Sequence, residues 1–297
     1  MDFRDISKLN RWMNLISGNL LPMSSDDSSF PFFWRLNSVV GWSFVLAYLC
    51  GLIAGFFFVP GDKSLKDGMI SIVIIMEVSV IIIRIYTQKR LVQELIRKLN
   101  DNLHIQDEMM QDVLTMTLKP MKTPLQFYWV VSTVAAIVWC CVPLPLTLHK
   151  NIFYYLDLQS PVVYSKEPFS VTSFVLINVV VLLNNIYLIT KKVAVDMYMT
   201  HLVLLITVQH LYTSQKLVSI FREGNQLDDY EDLHKDYSKA GRTMVMALKT
   251  LCQHHISAIK LTLMLKKLLS LNFSLIYVNG VLRFCFLAVM ILSVNLD

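Results

Sequence analysis

Charge is scarce in this sequence. Only 16% of its 297 residues are Asp, Glu, Lys or Arg, where a soluble domain carries about 25%. With 55% hydrophobic residues, lipid must solvate much of the surface. The net charge of +5 says little about nucleic acid in such a chain, and no nucleic-acid partner is expected. A secretory signal is also missing: Arg4, Asp5, Lys8 and Arg11 interrupt the opening residues, so insertion is expected to depend on the first spanning helix. The five cysteines, Cys50, Cys140, Cys141, Cys252 and Cys285, fit neither an extracellular disulfide framework nor a metal site. They are read as small buried hydrophobes. No Gly-rich phosphate loop, nucleophile elbow or Walker pattern occurs. His201, His210, His234, His254 and His255 do not repeat as the His boxes of a membrane di-iron enzyme would. Packing and hydrogen bonding is their expected role. No catalytic residue, metal or cofactor is expected, and the chain is not read as an enzyme.

What is present is long apolar runs. The pattern predicts an all-α, polytopic membrane helical bundle of about five spans, with a cytosolic N-terminus and long cytosolic helical extensions. A cytosolic lead-in covers 1–37 and contains a short amphipathic helix followed by a turn-rich, Ser- and Asp-rich stretch. Four spans follow at 39–59, 69–86, 125–148 and 169–190, each long enough to cross about 30 Å of hydrocarbon. Between the second and third, 88–123 is charged and carries Leu91, Leu95, Leu99 and Leu103 on one face, which predicts a cytosolic helix. The outer loop 149–168 is aromatic, with Phe153, Tyr154, Tyr155 and Tyr164. Past Lys191 and Lys192 the helical pattern continues as a cytosolic extension, 191–267, interrupted by a polar hinge at 223–239. The last helix begins amphipathic and becomes apolar all round at 268–296, the fifth span.

Basic residues set the orientation. The segments placed inside hold 21 Lys and Arg, the outer loops 4, and Arg84 and Arg283 fall within spans. A sixth span over 193–211 would require Asp196 and His201 in lipid, which is costly. The Asn272-Phe273-Ser274 pattern lies in the inner half of the fifth span, out of reach of glycosylation.

Two charges lie deep within spans, Glu77 and Arg283. Each is costly in lipid unless paired or hydrated. They are expected to face a common interior or water-filled cavity, either as an ion pair or each meeting water or backbone separately.

The stretch 196–273 resembles the insect odorant receptor family. Asp196 and Gln209 lie on the helix leaving the fourth span. The Leu-Cys-x-x-His pattern appears as Leu251-Cys252-Gln253-His254-His255-Ile256, followed by Leu265, Leu268 and Phe273. The resemblance implies seven spans, assembly as tetramers with a shared coreceptor, and odorant-gated cation conduction in olfactory sensory transduction, at the cell membrane of sensory-neuron dendrites. It implies a small volatile ligand, bound in the outer half of the bundle. Outer-half positions there are Met69, Ile72, Met76, Trp139, Val142, Phe169, Phe174 and Asn178. The family's last two helices, including the pore-lining one, have no counterpart in these 297 residues. On that ground a truncated, non-conducting subunit that binds partner receptors is an alternative, as is a gustatory receptor.

Overall fold

The structure, a computed structural model, describes residues 3, 8–24, 30–103, 107–228 and 237–294. Helix α1 (Lys8–Ile16) is short and amphipathic. Helix α2 (Phe32–Phe58) starts after Pro31 and ends at Val59, whose N–H donates to the Gly55 carbonyl. Pro31 suits this place, since its missing N–H costs nothing at a helix start. A helical lead-in, Gly61–Lys63 and Ser64–Gly68, runs into α3 (Met69–Thr87). α4 (Lys89–Leu103) turns off α3 at 75°. α5 spans Glu108–Cys141 and passes into a 3-10 turn, Leu144–Leu148. The only sheet among the described residues is a two-stranded antiparallel pair in the outer loop, β1 (Ile152–Phe153) with β2 (Phe169–Ser170). Two helices of 58 residues follow, α6 (Val171–Asp228) and α7 (Tyr237–Val294).

The protein is therefore an all-α, multi-pass membrane fold. Among the described residues three helices are long and apolar enough to cross a membrane, or four if the bent pair α3 and α4 counts as one span. The run 268–296 continues as helix to Val294, but most of its side chains lie outside the described residues. At 1.5 Å per residue α6 is about 85 Å long, nearly three times the hydrocarbon thickness, so it must leave the bilayer.

One expectation is corrected. The segment 88–123 is two helices rather than one. α4 ends at Leu103, and α5 begins at Glu108 with Asp107 as N-cap, its carboxylate accepting from the Met109 N–H. α5 then runs through Pro120 and Pro124 into the apolar stretch without a break. A proline removes one helical hydrogen bond, but the flanking turns and packing carry the helix across it. The lead-in 1–37 likewise overlaps the first turns of α2.

Two main cores follow from this arrangement. Toward the end that carries Lys266 and Lys267, the apolar face of α4 (Val92, Leu95, Ile96, Leu99, Leu103) packs with Met110, Val113 and Leu114 of α5. Val195, Tyr198, Leu202, Leu205 and Ile206 of α6 and Leu261, Leu265 and Leu268 of α7 complete it. Toward the loop end, Val45, Tyr48 and Leu52 of α2, Ile75 of α3, Cys140 of α5, and Phe174, Ile177 and Val181 of α6 pack beneath Phe153, Tyr155, Leu158 and Val162 of the loop.

A smaller cluster docks α1: Met13 meets Leu125, Val193, Ala194 and Met197. The turn after it is tied down by hydrogen bonds. Lys191 Nζ donates to the Ser17 carbonyl (2.8 Å) and lies 4.5 Å from the Trp42 ring centre. Asn19 Nδ2 donates to the Lys191 carbonyl (3.0 Å), and Tyr198 Oη to that of Pro22 (2.7 Å). Gly18 has φ +66°, and a Cβ there would stand 2.8 Å from the Ser38 Cα; only glycine permits both this backbone and this approach.

Candidate functional site

At the loop end, the segment between β1 and β2 folds inward over the bundle. Pairing of Ile152 with Ser170 and Phe153 with Phe169 fixes its neck. The ring of Phe153 stacks on that of Phe174 at 4.0 Å, and Tyr155 meets Phe169 edge-on at 5.2 Å. Lys150 pairs with Asp157 (2.7 Å), and Lys63 Nζ donates to the Leu156 carbonyl (2.6 Å). The Val163 N–H donates to the Gly51 carbonyl in α2 (3.1 Å). The loop thus forms part of the packed interior.

Beneath it lies a small polar group in apolar surroundings. Tyr48 Oη stands 3.2 Å from both Ser71 Oγ of α3 and Ser160 Oγ of the loop. With one hydroxyl proton, Tyr48 donates to one serine and can accept from the other. Asn185 Nδ2 donates to Cys140 Sγ (3.3 Å), joining α6 to α5. Asn178 and Asn184 spend their amide N–H on the Phe174 and Val180 carbonyls of their own helix. The Asn184 Oδ1 atom is buried without a hydrogen-bond partner among the described residues.

The eight outer-half positions divide. Phe169, Phe174 and Asn178 are buried in this core, and Ile72 packs against it half-buried. Met69 is half-buried at the start of α3. Met76, at 60% exposure, points outward, as do Trp139 and Val142. Sequence reasoning passed over Tyr48, Ser71, Ser160 and Asn185. A tyrosine hydroxyl in an otherwise apolar run was the available signal for Tyr48. Nothing local reveals that residue 160 folds back to meet residue 48.

Glu77 has a partner that the sequence did not suggest. Its carboxylate is 2.9 Å from Lys192 Nζ, with Glu77 at 3% and Lys192 at 15% side-chain exposure. Lys192 also reaches Asp196 (2.6 Å), which accepts from Tyr128 Oη (2.9 Å). Charged groups from α3 and α6 and a hydroxyl from α5 thus share one network. The Arg283 side chain lies outside the described residues.

The histidines form a seam between α6 and α7. His254 Nε2 is 3.0 Å from Gln209 Oε1, its Nδ1 is 3.2 Å from Thr213 Oγ1, and His210 Nε2 is 2.9 Å from Thr262 Oγ1. His201 bonds within its own helix to the Met197 carbonyl (2.7 Å). His234 lies outside the described residues, among which no group of three or more His, Cys, Asp or Glu could hold a metal.

Burial, with His255 and His210 nearby, holds the His254 imidazole below its usual range. The fold thus favours the neutral ring. The stability this contributes is complete above the ordinary His pKa of about 6.5 and is lost as pH falls through the lower folded value. Acidification should therefore speed amide exchange along the α6–α7 seam, while a His254→Gln chain should show much less change. Equal acceleration in both would remove His254 as the cause. At the base of α5, burial raises the Asp107 carboxyl, but hydrogen bonds from Lys216 (3.0 Å), Tyr212 (2.9 Å) and the Met109 N–H outweigh it and leave the group below the usual carboxylate range.

A solved structure shares this arrangement. The insect olfactory receptor OR5 from Machilis hrabei superposes over 96% of this chain and 72% of its own, with a TM-score of 0.65 at 15% sequence identity. The fold is that of an insect olfactory receptor. No family model and no curated protein sequence matches the chain. At this identity the likeness concerns architecture alone.

Proposed function

We propose that the chain is an odorant receptor subunit that binds a small volatile molecule in the loop-end core. It then contributes to an odorant-gated cation channel assembled with a coreceptor, in the membrane of a sensory neuron. The observation that carries this reading is the olfactory-receptor fold over 96% of the chain. The loop-end core agrees in chemistry: an apolar interior with few hydrogen-bonding groups is what a small, weakly polar ligand needs. Ile72, Phe169, Phe174 and Asn178 mark the region, with Met69 at its edge and Tyr48, Ser71 and Ser160 as its hydroxyl anchors. The open Asn184 acceptor suits ligands that carry a donor, such as alcohols or acids.

The test is co-expression with a coreceptor in a cell that lacks both, followed by a volatile panel. Cation current should appear with the two chains together and exceed that from the coreceptor alone. Absence of any odour-dependent gain, with the chain shown at the cell surface, would overturn the reading. For a responsive alcohol, Tyr48→Phe should raise the half-maximal concentration by about tenfold, the loss of one hydrogen bond. An alkane-like ligand should respond unchanged.

A further inference from the structure

The face of α1 turned away from the bundle forms, with the first turns of α2, a surface that odorant binding does not use. Lys8, Arg11, Trp12 and Ile16 are exposed on α1, and Phe32, Phe33, Arg35 and Leu36 on α2. Trp12 meets the Trp34 ring edge-on at 6.4 Å, and Trp34 meets Phe33 at 5.3 Å. The two helices therefore present one connected aromatic patch, flanked by three cations.

The opposite side of α1 is fixed. Asn10, Met13 and Asn14 are buried, and Asn37 Nδ2 donates to the Leu15 and Ile16 carbonyls at 3.2 and 3.1 Å. Ser38 Oγ donates to the Gly18 carbonyl (2.6 Å), and Tyr86 Oη to that of Asn19 (2.7 Å). A helix held this firmly on one side keeps Trp12 (55% exposed) and its neighbours outward as a standing feature.

Position argues for the occupant. Phe32, 79% exposed, opens the apolar helix α2, so the patch is continuous with a membrane-facing surface and lies where that surface meets water. Aromatic rings concentrate at that depth, and Lys and Arg there attract anionic headgroups. An amphipathic helix carrying both lies in the interface plane.

We propose that α1 and the first turns of α2 form a binding surface for anionic phospholipid. Lys8, Arg11 and Arg35 hold the headgroups, while Trp12, Phe33 and Ile16 enter the acyl boundary. Lipid composition would then set how firmly α1 is pressed against α6, independently of any odorant.

The test uses the full chain in nanodiscs of phosphatidylcholine, with and without phosphatidylserine. Phosphatidylserine should raise the thermal midpoint by several degrees, and added salt should shrink the rise. The combined Lys8→Gln, Arg11→Gln and Arg35→Gln chain should match the wild type in phosphatidylcholine and lose most of the rise. An equal rise in that variant overturns the proposal. So does no rise in the wild type, which would leave the patch to a protein partner. If the variant is unstable in neutral lipid, native mass spectrometry of the wild type decides. Retention of phosphatidylserine over phosphatidylcholine by on the order of tenfold supports the surface, and equal retention overturns it. Neither readout depends on an odour response.

Discussion

Replacing Lys192 by Met should destabilise the protein by about 3 kcal/mol, the usual effect of removing one partner of a buried ion pair. Methionine preserves the length and apolar stem of the side chain, so the change removes the charge with little change in volume. Glu77 is then left on α3 at 3% exposure without the ammonium 2.9 Å away. Asp196 shares the same lysine at 2.6 Å but is 27% exposed, so it can turn to water and should contribute little to the loss.

The double variant, Lys192→Met with Glu77→Gln, should recover most of the stability, because a buried pair replaced by neutral groups is often nearly neutral in effect. Thermal unfolding in detergent and the fraction of chain reaching the cell surface are the readouts. A single Lys192→Met chain that melts with the wild type would show that Glu77 is satisfied by other groups. The size of the recovery, read as a double-mutant cycle, gives the coupling between the two charges.

Gly55→Ala should be the most damaging small substitution at the loop end, costing about 2–4 kcal/mol. A methyl group there would collide with the Pro161 carbonyl oxygen and stand 2.8 Å from its carbon. Backbone cannot swing aside as a side-chain tip can, so the loop has to lift. The Val163 N–H would then leave the Gly51 carbonyl, and Ser160 would leave Tyr48. Gly61→Ala is the internal control. Its Cβ meets nothing within 4 Å, and in a helical lead-in the change should be neutral or stabilising by up to about 1 kcal/mol. Thermal midpoints of the two variants in one membrane mimic test the pair. If Gly55→Ala melts with Gly61→Ala, the loop does not dock as described. Odour responses should fall with Gly55→Ala in parallel with its loss of stability.

These two sites also show where sequence reasoning stops. Fold class was legible because long uncharged runs and 3.6-residue periodicity are local, and lipid and water impose them residue by residue. The docking face of α4 was legible for the same reason: Leu95, Leu99 and Leu103 recur on one side and are buried. The division of 88–123 was harder. Pro120 and Pro124 mark a local break more strongly than the true start at Asp107, although an Asp followed by Glu108 is an N-cap signal. Partnerships across the chain had no local trace. Residue 77 is separated from 192, and 48 from 160, by more than a hundred residues, and the loop's descent onto Gly55 depends on one missing Cβ. Of the site residues proposed from sequence, Phe169, Phe174 and Asn178 fall together in the loop-end core. Met76, Trp139 and Val142 stand on outward faces, because hydropathy gives a span but not its rotation.

Helix α6 runs unbroken from the outer loop to the core formed with α4 and α7. An unbroken rod of about 85 Å acts as a lever. Pivoted at Lys192, one degree of tilt displaces the seam at Gln209 and Thr213 by about 0.5 Å. The Lys192 network, on the same rod near its first third, ties α6 to α3 and α5 and is placed as a fulcrum between two packed arms. A small adjustment around Phe174 would then arrive at Gln209 and Thr213 with similar size and opposite sense, because residues 174 and 209 stand about equally far from Lys192 along the rod.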